Sequence, residues 1–417
     1  MTGTDPTTLT DADIRRARRR GHGVLISGQV LAGLGMGATL SAGALLITEV
    51  SGSEAWSGMA ATSSTVGAAV ASVPLAALAT RHGRAPALAT GALVATGGAI
   101  VGLVAAIIVS FPLLLLGIVM LGFGTAVNLQ SRFAATDLSE PDRRGRDLAV
   151  VVWATTVGAV LGPNLIEPAD AFGRSLGLPP LSGPFLFTIA AQVIASAVYL
   201  IGLRPDPLRL AARISLERPT APEAAPRRAD GNGVATGVIA TSLSHATMVA
   251  VMAMTPVHLV HHGATLAVVG FTISLHVLGM FALSPVFGLL ADRLGREATI
   301  AIGQVLLLAA LLIVAAGAES EVWVTVGLFT IGLGWSASTV AGSTLIAESA
   351  DLAHRTRIQG RADLLMSASG AVGGGFAGLV LAALGYGGLA MVATSLVAGV
   401  LIALVVRATR GRAEVTV

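Results

Sequence analysis

Apolar stretches of roughly helical-span length recur along this chain, each separated from the next by a polar turn. The first runs from Val24 to about Val50, and others follow near 57–80, 86–110, 112–134, 148–166 and 182–203. A polar interval rich in Arg, Pro and Ala occupies Arg204 to Gly233, and six more stretches follow near 234–257, 264–290, 298–317, 322–346, 363–385 and 387–407. A hydrocarbon core takes about 20 helical residues to cross, so each stretch reads as a membrane-spanning helix. The pattern predicts an all-α membrane protein with twelve transmembrane helices. A tail at 1–20 precedes a six-helix bundle at 21–204, and a linker at 205–233 leads to a second bundle at 234–407 and a tail at 408–417.

Composition sharpens this picture. The chain is 54% hydrophobic and only 12% charged, about half the charged share of a soluble domain, which excludes a cytosolic enzyme, a disordered chain and a nucleic-acid-binding domain. There is no cysteine, hence no disulfide or thiolate site. The run Arg15-Arg16-Ala17-Arg18-Arg19-Arg20 resembles the start of a signal peptide, but no convincing cleavage site follows, so the first stretch reads as a retained helix. All 26 basic residues are arginine, and those outside the apolar stretches fall on alternate loops. One side holds Arg81 and Arg84, Arg143, Arg144 and Arg146, the linker arginines, Arg293 and Arg296, Arg355, Arg357 and Arg361, and the tail; the other holds Arg174. The positive-inside rule then puts both termini in the cytoplasm of a multi-pass protein, with a bacterial plasma membrane the expected location. The linker, with its prolines and weak apolar periodicity, reads as a flexible tether.

The two halves repeat. Arg81-His82-Gly83-Arg84 follows the second stretch and Arg293-Leu294-Gly295-Arg296 the eighth; Gly145-Arg146 opens the fifth and Gly360-Arg361 approaches the eleventh. Repeats of this kind place a binding site between bundles near the membrane midplane. The run Gly288-Leu-Leu-Ala-Asp292-Arg293-Leu-Gly295-Arg296 resembles the loop signature of the major facilitator superfamily. The resemblance implies a carrier working by alternating access, with Gly288, Asp292, Arg293, Gly295 and Arg296 in a gate. The other reading is a plain positive-inside turn. In the first copy Ala76 and Thr80 replace the glycine and the acid, which argues against a charged latch there. Gly158-Ala-Val-Leu-Gly162-Pro163 resembles the glycine-proline motif of the superfamily's antiporters. Small residues at i and i+4 allow close helix approach and proline bends the helix, so packing without antiport is equally open.

Polar groups inside spans are expensive and are functional candidates. Asn128, Gln130 and Arg132 form a polar inner end on the fourth stretch, a candidate wall of the substrate path; Arg132 alternatively snorkels to the interface. Glu49 and Glu348 lie near helix ends, and no carboxylate is expected at mid-span. The seventh and eighth stretches carry His245, Met248 and Met252, then His276 and Met280, with i, i+4 spacing that puts partners on one helix face. Thioethers select monovalent copper and imidazole suits several metals, whereas a methionine stripe is also ordinary core filler. Met-x-x-x-Met followed by His-x-x-x-Met resembles the paired motifs of the CcoA-like copper importers, a branch also similar to riboflavin transporters. That resemblance implies that Met248, Met252, His276 and Met280 bind and pass copper, with His245 able to join them. Copper is then a substrate, and no cofactor is expected. The competing reading is a small organic solute, with proton coupling through His245 or His276 as one form of it and with Gln130, Asn128, Trp153 and Trp335 available to a flavin although aromatic residues are few. His258, His261 and His262 crowd one outer turn, either collecting a cation or lying as an exposed polar turn. No nucleophile–base arrangement points to an enzyme. The expected partners are the bilayer and the cargo, with the chain a monomer and no nucleic acid bound.

Overall fold

A computed structural model of the protein describes residues 10–52, 59–162, 165–217, 230–351 and 354–415. In chain order the helices are α1 (Asp11–Ser51), α2 (Met59–His82), α3 (Arg84–Ile107), α4 (Phe111–Ala134), α5 (Arg144–Leu161), α6 (Ile166–Ser175), α7 (Gly183–Gly202) and α8 (Pro207–Glu217). The second half holds α9 (Gly231–His261), α10 (Leu266–Phe281), α11 (Ser284–Leu294), α12 (Arg296–Ala316), α13 (Glu321–Ser349) and α14 (Arg355–Val415). Among the described residues nine helical stretches are long and apolar enough to cross a bilayer. Large apolar side chains such as Leu93, Ile107, Val305, Leu379 and Ile402 are exposed around the outside, where a soluble protein would have charge.

Three boundaries differ from the sequence expectation, each for a local reason. Residues 11–20, assigned to a polar tail, are helical: the Thr10 hydroxyl accepts from the Asp13 N–H while the Asp13 carboxylate reaches back to Thr10, a reciprocal capping box that starts α1. Residues 207–217, assigned to a flexible tether, form α8. The Asp206 carboxylate accepts from the Leu208 and Arg209 N–H groups at its start and from Ala85 N–H at the start of α3, and Pro207 and Leu210 are buried. At the C-terminal end α14 continues to Val415, so residues 408–415 are helix rather than tail.

One apolar stretch read as a single span, the eighth, is made of two helices: it breaks at Ala282 and Leu283 between α10 and α11, where Pro285 opens the next helix. The fifth corresponds to α5, and a further short helix, α6, begins where that stretch was expected to end. Conversely, α14 joins two stretches through Gly385, whose φ of +70° bends the path.

Within the first half α1 packs on α5 and α7, α2 on α4, and α3 on α4 and α7; within the second, α9 packs on α14 and α13, α12 on α13, and α10 on α13. The halves meet where α2 lies along α14 and α5 along α10 and α11. The repeat is visible in the backbone: Gly83 and Gly295 occupy the same turn with φ of +98° and +95°, a region open to glycine but strained for other residues.

Candidate transport site

Between the halves lies a cavity of about 430 Å³. From the first half, α1 contributes Ala32, Gly33, Met36 and Gly37, α2 contributes Ala61, Thr65 and Ala68, and α4 and α5 contribute Thr125, Asn128, Leu129 and Thr155. From the second, α9 contributes His245, Met248, Val249, Met252 and Ala253, and Met280, Phe281, Trp335, Met366 and Ser367 complete the wall. Ala61 and Ala253 are exposed and mark its mouth. The described lining carries no carboxylate and no arginine.

The small helix spacing that opens this space depends on paired glycines. A Cβ on Gly158 would sit 2.5 Å from the Gly33 backbone, and one on Gly162 would sit 2.8 Å from Gly37 Cα, so α5 and α1 touch backbone to backbone. Gly158 and Gly162, two of the residues of the glycine-proline run, lie at this contact; Pro163 lies outside the described residues.

One wall is aromatic. The Trp335 indole N–H donates to His245 Nδ1 at 3.1 Å, and Phe281 meets the Trp335 ring edge-on with centroids 5.8 Å apart. Trp335 thereby satisfies its one donor inside the protein and leaves ring surface toward the cavity. Trp153 is exposed on the outside of the molecule and takes no part in the lining.

The methionine–histidine set divides. Met248, Met252, Met280 and His245 line the cavity, together with Met36 and Met366. His276 does not line it: it is fully buried against α13, where its Nδ1 hydrogen-bonds the Leu328 carbonyl at 2.6 Å. A helical residue four positions before Met280 shares its face only within about 40°, and here the packing of α10 on α13 takes up that difference. Among the described residues no cluster of three or more His, Cys, Asp or Glu side chains is arranged to hold a metal.

Of the polar trio on α4, only Asn128 reaches the cavity, with its amide donating to Thr155 Oγ1 at 3.2 Å. Gln130 is buried and donates to the Ser72 carbonyl at 3.1 Å. Arg132 neither lines the path nor snorkels. It is 3% exposed, and its Nη2 donates to Asp363 Oδ1 at 2.6 Å across the two halves. Asp363 is a buried carboxylate that sequence reasoning placed at a span boundary; α14 begins at Arg355, two turns earlier, and carries it into the protein interior.

Below the cavity the halves are locked together. Asp292 accepts from the Gly145 and Arg146 N–H groups, each at 2.9 Å, and so caps the first turn of α5. Gly288 is the residue that permits it: a Cβ there would meet the Gly145 carbonyl and Ala149 at 2.6 Å. Arg296 donates to Glu348 at 2.6 Å and to the Pro141 carbonyl at 3.1 Å. Arg293 is exposed. The first-copy loop also forms a latch, contrary to the expectation drawn from Ala76 and Thr80. Arg84 is 1% exposed, grips both oxygens of Asp137 at 2.8 and 3.1 Å, and donates to Gln359 of the other half at 2.8 Å. Arg355 adds a bond to the Thr136 hydroxyl at 3.0 Å. The repeat itself was the signal for Arg84, since it stands where Arg296 stands in the second copy.

The histidines at the end of α9 form a separate group. His258 stacks on Tyr386 with centroids 4.2 Å apart, and one ring nitrogen of His262 lies 3.4 Å from Glu319.

A cavity enclosed by two repeated helical halves, sealed at one end by bonds between them, defines a membrane carrier. The Major Facilitator Superfamily model matches residues 25–234 and 237–416, and the chain belongs to that superfamily of transporters. It is 37% identical over 379 residues to the uncharacterized MFS-type transporter YdeG of Bacillus subtilis, covering 89% of this chain and 87% of that protein. It is 28% identical over 415 residues to the riboflavin transporter RfnT of Brucella anthropi, covering 96% and 98%. Its fold resembles that of the human organic anion transporter MFSD10 (TETRAN), with a TM-score of 0.70 at 17% identity over 93% and 98% of the two chains.

Proposed function

We propose that the protein carries a small, planar, uncharged organic solute across the membrane by alternating access around the central cavity. In this reading α5 with α6 and α10 with α11 each make one crossing and α14 makes two, giving twelve spans in two six-helix bundles, 21–204 and 234–407. Both termini face the cytoplasm of a bacterium, and the chain works as a monomer. The observation that carries the solute class is the wall of His245, Trp335 and Phe281 in a cavity whose described lining has no formal charge. The aromatics are few in the chain, but these are gathered where a ring would stack. A flavin is the first solute to test, since RfnT is a relative over nearly the whole chain.

Riboflavin counterflow into proteoliposomes containing the purified protein is the direct experiment. Saturable exchange that Trp335→Ala weakens supports the reading; absence of exchange with riboflavin and other neutral ring compounds removes it. The second reading, copper import, draws on the thioethers of Met36, Met248, Met252, Met280 and Met366 around the same space, with His245 in place of His276. Copper uptake abolished in a Met248→Leu, Met252→Leu, Met280→Leu variant, which keeps the cavity volume, would favour it.

A further inference from the structure

We propose that Gln192 decides which rings the carrier accepts: its carboxamide pairs with the N–H/C=O edge of a neutral lactam or imide once Met36 turns aside. The inference rests on the neutral-ring reading above and narrows it to rings that carry this edge.

All five glutamines of the chain are buried, and four of them are hydrogen-bonded. Gln29 donates to the Asn128 carbonyl and Gln130 to the Ser72 carbonyl. Gln304 donates to Ser244 and Ser338, and Gln359 accepts from Arg84. Gln192 is the exception. It is fully buried on α7, and neither its oxygen nor its nitrogen has a hydrogen-bond partner among the described residues. Exchanging the two amide atoms changes nothing, since both are unpaired. An amide shut away in this manner costs free energy that a leucine of similar size would not. Its chemistry is thus left over for a partner from outside the protein.

The amide lies against the cavity wall. Thr188, one turn earlier on the same face of α7, donates to the Gly35 carbonyl at 2.6 Å and so turns that face onto α1. From α4, a Cβ on Gly124 would sit 2.4 Å from the Met36 sulfur and 3.0 Å from Gln192 Nε2. Sulfur and amide therefore share the space that the missing side chain leaves. Met36 and Gly124 both line the cavity, which places the amide one side chain behind its surface. Met36 is the part of this wall that can move, because an unbranched thioether with three rotatable bonds repacks readily.

The amide also selects the chemistry of what it meets. It presents one C=O acceptor beside N–H donors, and it is complemented by an edge with a donor and an acceptor side by side. A lactam or imide ring has that edge. A carboxylate or phosphate offers acceptors alone and an ammonium donors alone, so each would leave one amide atom unpaired; the described lining also has no formal charge to hold either. Trp335 and Phe281 belong to the second half of the molecule, and Gln192 and Met36 to the first. A ring stacked on Trp335 with its edge on Gln192 touches both halves, so its binding favours their closure around it.

The test is a binding titration on the purified full-length protein in nanodiscs. Riboflavin and lumichrome, which carry an imide N–H, are each compared with their N3-methyl derivatives by fluorescence quenching; phenazine, a neutral planar ring without the edge, is titrated by calorimetry. Each parent ring should bind about tenfold more tightly than its N3-methyl derivative, the scale of two net hydrogen bonds. Gln192→Leu should erase that preference while holding the affinity of the methylated rings within about threefold. The free Gln192→Leu protein should melt no lower than wild type, since it loses an unpaired amide. Met36→Ile, which keeps the amide behind a stiff β-branched side chain, should lose the preference as well. Parent and methylated rings bound alike by wild type, phenazine bound as tightly as the imides, or a preference that survives Gln192→Leu overturns this inference and leaves the neutral-ring reading standing. A lower melt for Gln192→Leu would mean that the amide is paired in the free protein, which also overturns it. No binding by any of these rings removes the neutral-ring reading and this inference together, so the two failures are told apart.

Discussion

At the scale of single residues, the site is governed by where donors and charges find partners. The Trp335 N–H is used up on His245, so the indole offers the solute its ring and not its hydrogen-bond donor. Trp335→Phe is therefore expected to hold riboflavin affinity within about threefold, while Trp335→Ala weakens it by roughly tenfold, the scale of one aromatic contact of about 1.4 kcal/mol; a titration of flavin fluorescence quenching reads both. Arg84 makes the opposite use of its side chain. Its planar fork meets both oxygens of Asp137 and still reaches Gln359, which a lysine ammonium cannot do. Arg84→Lys should cost about 1–3 kcal/mol and lower the thermal midpoint by several degrees in a scanning fluorescence melt. Little of this was legible beforehand. Residue type marks Trp335 and Arg84 as candidates, but whether a donor is spent within the protein or offered to a ligand is decided by neighbours 90 and 275 residues away.

At the scale of helices, hydropathy sees length and not interruption. The eighth stretch reads as continuous because Ala282 and Leu283 at its break are as apolar as the residues on either side, and only the main-chain path distinguishes it. The same averaging hid Asp363. Eight residues that look like a polar approach to the eleventh stretch are its first two turns, and they carry the carboxylate from the boundary into the interior. Glycine spacing was more informative, because steric contact is local. Gly158→Ala would drive a methyl into the Gly33 backbone and should destabilise by about 1–3 kcal/mol. Gly375→Ala on α14, where nothing lies within 4 Å, should be neutral or stabilise by up to about 1 kcal/mol through helix propensity alone; detergent melts of the two variants check the contrast. A helix terminus supplies a pH prediction. Burial alone pushes the Asp230 carboxyl up, but the Gly233 N–H and the Arg407 guanidinium, 2.7 Å away, outweigh it and hold the group below its ordinary value of 3.8. Its contribution to stability is thus complete above that value and is lost as pH falls through the lower, folded-state value. Asp230→Asn should melt below wild type at neutral pH and converge with it in strong acid.

At the scale of the molecule, the two halves use one scaffold for two different bonds, and the difference sets how the closed end opens. In the second copy Asp292 caps α5 across the interface; in the first, Thr80 stands at the matching position and hydrogen-bonds within its own helix to the Ala76 carbonyl, so the load passes to Arg84 and Gln359. The α5–α11 contact is backed by a glycine that lets main chains touch. Removing the Asp292 carboxylate takes away the cap on two N–H groups while leaving the Arg132–Asp363 and Arg84–Gln359 bonds in place, so the seal should weaken without vanishing. A single cysteine at Ser367, on the cavity floor, reports this. In right-side-out and inverted vesicles a membrane-impermeant maleimide should label it mainly from the face to which the cavity opens in the parent protein. Adding Asp292→Ala should raise labelling from the sealed face by roughly tenfold, the ratio that loss of about 1.4 kcal/mol from the closed state produces. Labelling that remains confined to the open face would mean that the Asp292 cap contributes little to the seal, leaving it to the buried pairs of α3 and α4.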